Sequence, residues 1–325
     1  MKNKILKGFI FSLFLIISCK KNDSQKPNII YILADDLGYG DIKTFNANGK
    51  IKTPHIDMLA IDGIKFTDAH TSSSVCTPTR YGILTGRYNW RSKLKKSVLS
   101  GTSNALISKN RTTVASFLKQ NGYFTGFIGK WHLGWNWSFS DTIIHYDSNP
   151  NQLKKTFYGF GEKNHSSADR IDFLKKINNS PNDLGFDYSY GHSGSLDMPP
   201  YVYVENGITT AKIDRFTFAP KPYSWWRYGP TAADFDHEQV TPNFFEKAKT
   251  FVKRAVKKNK PFFLYLPLPS PHTPILPVKK WQGKSGLNSY ADFVMQIDDH
   301  IGEVDNLLKD LKISNNTIII FTSDN

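Results

Sequence analysis

P-N-I-I-Y-I-L-A-D-D, residues Pro27 to Asp36, is a short apolar run rich in isoleucine, closed by two acids and followed by a Gly-Tyr-Gly turn. Such a run predicts a buried strand carrying carboxylates at its C-terminal end. Working outward, three more runs have the same character: Gly122 to Lys130 (G-Y-F-T-G-F-I-G-K), Pro261 to Leu268 (P-F-F-L-Y-L-P-L) and Asn316 to Asn325 (N-T-I-I-I-F-T-S-D-N). Helical stretches separate them. Thr53, Pro54 and Gly63 bracket one as N-cap, first turn and stop; Thr79 to Thr85 ends at Gly86; Thr113 to Asn121, Thr241 to Lys258 and Tyr290 to Leu311 follow. Nearly all-apolar strands alternating with helices predict an α/β fold with a large, mostly parallel sheet covered by helices on both faces. Trp135 to Gly229 has weak periodicity and many aromatics and turn residues, and reads as insertions and loops over a site. There are no internal repeats, no CxxC, no HExxH and no glycine loop of the phosphate-binding kind.

The N-terminus reads as an export signal. Lys2, Lys4 and Lys7 precede an apolar run from Phe9 to Ile17, then Ser18 and Cys19. The run is shorter than the roughly 20 residues a membrane-spanning helix needs. I-I-S-C resembles a bacterial lipobox, which makes residues 1–18 a signal peptide, Cys19 the lipid-bearing N-terminus and 19–26 a polar tether. An ordinary secretory signal with an incidental cysteine is the other reading. The expected location is periplasmic or on the outer membrane, with the lipid as the only membrane contact. A lipidated Cys19 leaves Cys76 as the sole remaining thiol, unpaired in an oxidising compartment.

The formal charge is +14, and three of those charges lie in residues 1–18, leaving +11. Nucleic acid is not the expected partner of an exported chain. A positive surface suits an anionic polysaccharide or a sulfated or phosphorylated substrate, or simply keeps the chain soluble. The 27–325 stretch is long enough for one large domain.

Polar residues gather at the predicted strand ends: Asp35 and Asp36, Lys130 and His132, His272, and Asp324 with Asn325. Ligands of open α/β sheets bind outside the carboxyl ends of the strands. Asp35, Asp36, Asp324 and Asn325 offer only hard oxygen donors, the set preferred by Ca²⁺ or Mg²⁺. Taken singly, each pair reads equally as exposed turn residues.

The stretch C-T-P-T-R-Y-G-I-L-T-G-R, Cys76 to Arg87, is more specific. It resembles the Cys-x-Pro-Ser-Arg signature of the type I sulfatases of the alkaline phosphatase superfamily. G-Y-F-T-G-F-I-G-K-W-H, Gly122 to His132, resembles a second signature of the same family. The resemblance runs from Pro27 to Asn325 and implies a sulfatase catalytic domain with an alkaline-phosphatase-like fold. It further implies that Cys76 is oxidised by a maturase to Cα-formylglycine, whose hydrated aldehyde is the nucleophile. Asp35, Asp36, Asp324 and Asn325, with position 76, would hold one Ca²⁺. Arg80 and Lys130 would stabilise the modified residue and the sulfate, His132 would be the base that regenerates the aldehyde, and His272 would contact the sulfate and protonate the leaving oxygen.

Two departures stand out. Thr79 replaces the usual serine of the signature and keeps its hydroxyl. The family has a further catalytic lysine and a smaller antiparallel C-terminal subdomain, and the sequence stops at Asn325 before both, so an incomplete C-terminus is expected. Gly185 to Gly207 resembles the equivalent part of glycan-active members, with Tyr190, His192 and Asp197 as candidates for a sugar subsite. The expected activity is sulfate removal from a sulfated carbohydrate. The alternatives are a phosphate mono- or diester hydrolase of the same superfamily, or an inactive glycan-binding remnant.

Overall fold

The computed structural model describes residues 26–141 and 167–325. The expected signal peptide, Cys19 and nearly all of the tether lie outside the described residues.

Five parallel strands carry the fold. β1 (Asn28–Asp35) lies between β8 (Phe262–Pro271) and β9 (Thr317–Ser323), and β8 pairs in turn with β2 (Phe124–Lys130) and β2 with β3 (Tyr188–His192). Two short strands, β4 (Val204–Glu205) and β5 (Ile208–Thr209), extend the β3 edge in antiparallel fashion, giving the order β5-β4-β3-β2-β8-β1-β9. A separate hairpin pairs β6 (Ile213–Ala219) with β7 (Trp226–Ala232). β2 and β8 are buried along their whole length, which is why their sequences read as unbroken apolar runs rather than alternating ones.

The helices are α1 (Pro54–Ile61), α2 (Cys76–Thr85), α3 (Val114–Gln120), α4 (Val240–Lys257) and α5 (Ser289–Asp310). α4 buries Phe244, Phe245, Ala248, Phe251, Val252 and Ala255, the i, i+3, i+4 stripe of an amphipathic helix. Phe251 stacks on Phe124 of β2 at 5.0 Å and lies over Gly126, where a Cβ would be 2.5 Å from its ring. The opposite parity of the sheet carries Phe127 and Tyr265, 6.3 Å apart, on the other face. Helix starts follow local chemistry. Thr113 and Ser116 form a reciprocal capping box on α3, and Asn288 caps α5 by accepting from Ala291 N–H at 2.9 Å. The Asp298 carboxylate of α5 caps α1 from outside, accepting from Ile56 N–H at 2.8 Å and His55 N–H at 3.2 Å.

Two expectations are corrected. α2 begins at Cys76, three residues before the predicted Thr79. Pro78 does not delay it, because the first-turn N–H groups have no intrahelical partner to lose. The stretch from Trp135 to Gly229 is not only loops: Tyr188–His192 is a fully buried strand of the main sheet. Its glycine and polar residues hide it from periodicity, and packing of Tyr190 on Tyr203 at 5.2 Å supplies what the pattern lacks.

Candidate active site

β1 and β9 are in register at Ala34 and Ser323, so the residues that follow, Asp35 and Asp324, emerge side by side. The ladder between β1 and β8 slips between Leu33 and Asp35, pairing Asp35 with Pro271 and opening the sheet at this end. Asp36 takes a left-handed backbone (φ 60°) and donates its N–H to Asp324 Oδ1 at 2.8 Å. Ligand atoms of Asp35, Asp36, Cys76 and Asp324 all lie within 4.8 Å of one another, and those of Asp35, Cys76 and His272 do likewise. Cys76 reaches this point as the first residue of α2, at the positive end of the helix dipole.

Arg80 follows Cys76 by one turn and is fully buried. It donates to Asp35 Oδ1 at 2.9 Å, to the Lys130 carbonyl at 2.8 Å and to the Leu268 carbonyl at 3.3 Å. Lys130 Nζ donates to Asp35 Oδ2 and, at 3.1 Å, to Ser195 Oγ. Gly129 makes this approach possible. Its φ of +140° turns the end of β2, and a Cβ there would stand 2.0 Å from the Pro267 carbonyl oxygen. Arg80 is therefore committed to holding Asp35, whereas the resemblance implied that it stabilises the modified residue and the sulfate.

The charges follow from this packing. Burial pushes the Asp35 carboxyl up, but Lys130 and then Arg80 and His272 override it and hold it well below the ordinary range. Asp324 goes the other way: burial and then the Asp35 charge raise it to about 8. Its Oδ2 is buried with no hydrogen-bond partner among the described residues. Two carboxylates forced together, one with an orphaned oxygen, fit a cation between them. Asn325 donates through Nδ2 to Asp36 Oδ1 at 3.0 Å, so its amide would turn over to offer oxygen as a fourth protein ligand. Burial, then the Asp35 charge, raises the Cys76 thiol to about 12, which leaves it inert as a thiolate nucleophile at neutral pH.

His132 also has a left-handed backbone (φ 52°), and its Nε2 lies 2.7 Å from the Leu99 carbonyl oxygen. Burial, then the Lys130 and Arg80 charges, holds its pKa well below the usual value, so the ring is neutral. His272 follows directly after β8. Its Nδ1 bonds the Thr273 carbonyl and lies 3.2 Å from Ser195 Oγ, and its Nε2 is 3.6 Å from Asp36 Oδ2. Thr79 bonds the Ser73 carbonyl through its hydroxyl and lies 3.4 Å from the Asp324 carbonyl.

All nine expected site residues thus gather at one end of the sheet. Sequence reasoning missed Ser195, which links Lys130 to His272 from within G-H-S-G-S; no spacing marks it. The three sugar-subsite candidates fare differently. His192 stacks on Phe244 at 5.7 Å, and the Tyr190 hydroxyl accepts from Asn243 at 2.7 Å, so both serve packing. Asp197 is buried and paired with Arg227 of the β6–β7 hairpin. Tyr223 O accepts from Ile275 N–H at 2.7 Å and Arg227 N–H donates to the Asp197 carbonyl at 3.1 Å, joining the hairpin to the 272–276 and 193–199 loops.

Residues 27–325 match the Sulfatase family. An N-acetylgalactosamine-6-O-sulfatase of Bacteroides thetaiotaomicron is 35% identical over 337 residues, covering 93% of this chain and 59% of that protein. Human arylsulfatase G is 28% identical over 331 residues, covering 98% of this chain and 55% of that protein. Among solved structures, a 6S-sulfatase from work on glycosaminoglycan metabolism in Bacteroides thetaiotaomicron superposes with a TM-score of 0.75 at 34% identity, over 93% of this chain and 63% of that one. Ps i-CgsB in complex with k-i-k-neocarrahexaose gives 0.65 at 27% identity, over 93% and 59%. The chain thus spans a little over half the length of the relatives it matches.

Proposed function

This chain belongs to the sulfatase family of the alkaline phosphatase superfamily, and from that premise we propose that it hydrolyses sulfate esters of a sulfated glycan. The observation that carries the proposal is the meeting of Cys76 with three carboxylates, two buried cations and two histidines at one sheet end. The buried, protonated thiol is a poor nucleophile as it stands, which favours conversion of Cys76 to Cα-formylglycine by a maturase. The converted residue would supply a hydrated aldehyde able to attack sulfur and later expel sulfate. Asp35, Asp36, Asp324 and Asn325 would hold a Ca²⁺, which supplies charge to polarise the bound oxygens.

The chain's own groups divide the remaining work. Asp35, fixed by Arg80 and Lys130, stays ionised and sets the geometry of the cluster. Lys130, held between Asp35 and Ser195, places positive charge where sulfate would lie. His132, neutral and with Nδ1 free of partners among the described residues, can accept a proton at that atom. His272, steadied at Nδ1 by the Thr273 carbonyl and Ser195, presents Nε2 toward Asp36 and the mouth of the site, where as an imidazolium with both nitrogens protonated it can donate to a leaving oxygen.

A glycan substrate is favoured by the net positive charge and by the exposed Tyr223 ring on the hairpin that joins the 193–199 and 272–276 loops, which offers a stacking surface. Relatives include a sulfatase named for N-acetylgalactosamine and a structure in complex with k-i-k-neocarrahexaose. Export as a lipoprotein anchored at Cys19 completes the proposal and places the enzyme where polysaccharide is met.

The test uses the complete reading frame co-expressed with a formylglycine-generating enzyme. The peptide containing Cys76 should lose about 18 Da, and sulfate should be released from sulfated galactose or N-acetylgalactosamine oligosaccharides. Faster turnover of matched phosphate esters would instead select the phosphoesterase reading. Converted protein inert on both would select the remnant.

A further inference from the structure

Three hydrogen bonds close a ring around His132 that none of the roles above uses. The Thr77 hydroxyl donates to the His132 carbonyl at 2.8 Å. Leu99 N–H donates to the same Thr77 oxygen at 3.2 Å. The Leu99 carbonyl then lies 2.7 Å from His132 Nε2. A carbonyl can only accept, so Nε2 carries the proton and the neutral ring keeps its lone pair on Nδ1. That nitrogen is buried and has no partner among the described residues. Thr77 is fully buried and its bond to the His132 carbonyl is buried with it, while the two bonds to Leu99 are part-buried.

The backbone at His132 needs this support. Its φ of 52° is a conformation that residues with a Cβ rarely adopt, and it persists only where the surroundings over-determine it. Two bonds do so: His132 N–H donates to the Ser193 carbonyl at 2.9 Å, and Thr77 holds the carbonyl from the other side. Thr77 also follows Cys76 directly on α2, so one hydroxyl ties the position of residue 76 to the angle of the imidazole.

We propose that Thr77 is a positioning residue for the reaction: its hydroxyl fixes the Nε2-protonated tautomer of His132 through Leu99 and keeps Nδ1 aimed into the site. This rests on the role given to His132 under the proposed function. A residue that merely filled the gap between α2 and the loop could be valine.

Thr77→Val keeps the shape and removes both the donor and the acceptor; Thr77→Ser keeps both. In the formylglycine-bearing protein from the complete reading frame, Thr77→Val should lower kcat by roughly 10- to 100-fold with KM nearly unchanged, the signature of a misplaced catalytic group. Thr77→Ser should restore kcat. Mass spectrometry at position 76 must show equal conversion in all three, since Thr77 lies in the maturase recognition stretch. In ¹⁵N-histidine-labelled protein, wild type should show His132 as the Nε2–H tautomer alone, and Thr77→Val a mixture. If Thr77→Val does not fold, Thr77→Ala serves in its place. Wild-type kcat in the valine variant, a loss that serine does not repair, or an unchanged tautomer overturns the proposal. Failure of the underlying reading looks different: wild type itself releases no sulfate, and the tautomer measurement then decides whether Thr77 sets the ring.

Discussion

Asp324 is the sharpest point at which the proposed metal site can be tested. Its carboxyl is raised to about 8 by burial and by the neighbouring Asp35, which Lys130 and Arg80 keep ionised. A bound cation takes the carboxylate and not the acid, so below pH 8 the metal must expel one proton. The sign follows directly. Affinity is full above pH 8 and falls as pH drops, by about tenfold per unit, because each unit of pKa is worth about 1.4 kcal/mol. Between pH 8.5 and pH 6 the association constant for Ca²⁺ should therefore fall by roughly 100-fold. Calorimetric titration in buffers of different ionisation enthalpy should count about one proton released at pH 7. Asp324→Asn should bind more weakly at high pH and lose most of the slope. His272→Gln, which removes the other titratable group facing Asp36, should keep it. Calcium binding that is flat across this range in wild type, or a slope that survives in Asp324→Asn, would refute the reasoning.

Other consequences follow from single contacts. Lys130→Ala leaves Asp35 buried with one cation in place of two, and should destabilise the fold by about 3–5 kcal/mol in urea unfolding. Gly129→Ala drives a Cβ to 2.0 Å from the Pro267 carbonyl at a φ of +140°, so soluble yield and thermal midpoint should both fall sharply. Asp298 is raised from 3.8 to about 6 by burial, despite accepting two helix N–H groups. Because its folded value lies above the unfolded one, its stabilising contribution is complete below pH 3.8 and lost as pH rises through 6. Relative to Asp298→Asn, wild type should lose about 2.5 kcal/mol between pH 3.8 and pH 6.5; parallel stability curves for the two proteins would contradict this.

Much of the fold was legible because its strands are buried on both faces and its helices carry local stop and start signals. The four long apolar runs, the capping threonine at Thr113 and the stripe on α4 all leave marks in one dimension. β3 left none: Tyr-Ser-Tyr-Gly-His becomes a strand through packing on Tyr203 and Phe244, partners 13 and more than 50 residues away in the chain. The start of α2 was obscured by a proline that costs nothing in a first turn. The site divides the same way. Asp35, Asp36, Asp324 and Lys130 stand at strand ends, where the sheet itself points. Ser195 and the Leu99 carbonyl act through tertiary contacts to Lys130, His272 and His132, and nothing in their local sequence announces it. Arg80 lies at the same sheet end, and its partner there is the carboxylate of Asp35, a contact that no motif specifies.

Position 76, once converted, is proposed here as the nucleophile of a sulfate ester hydrolase. The most direct measurement is sulfate release from a sulfated oligosaccharide by the complete reading frame, read against the mass of the Cys76 peptide in the same sample. Turnover should scale with the fraction converted and vanish in Cys76→Ala. Sulfate release by protein whose Cys76 is still a thiol would contradict this, as would fully converted, folded, calcium-loaded protein that releases none.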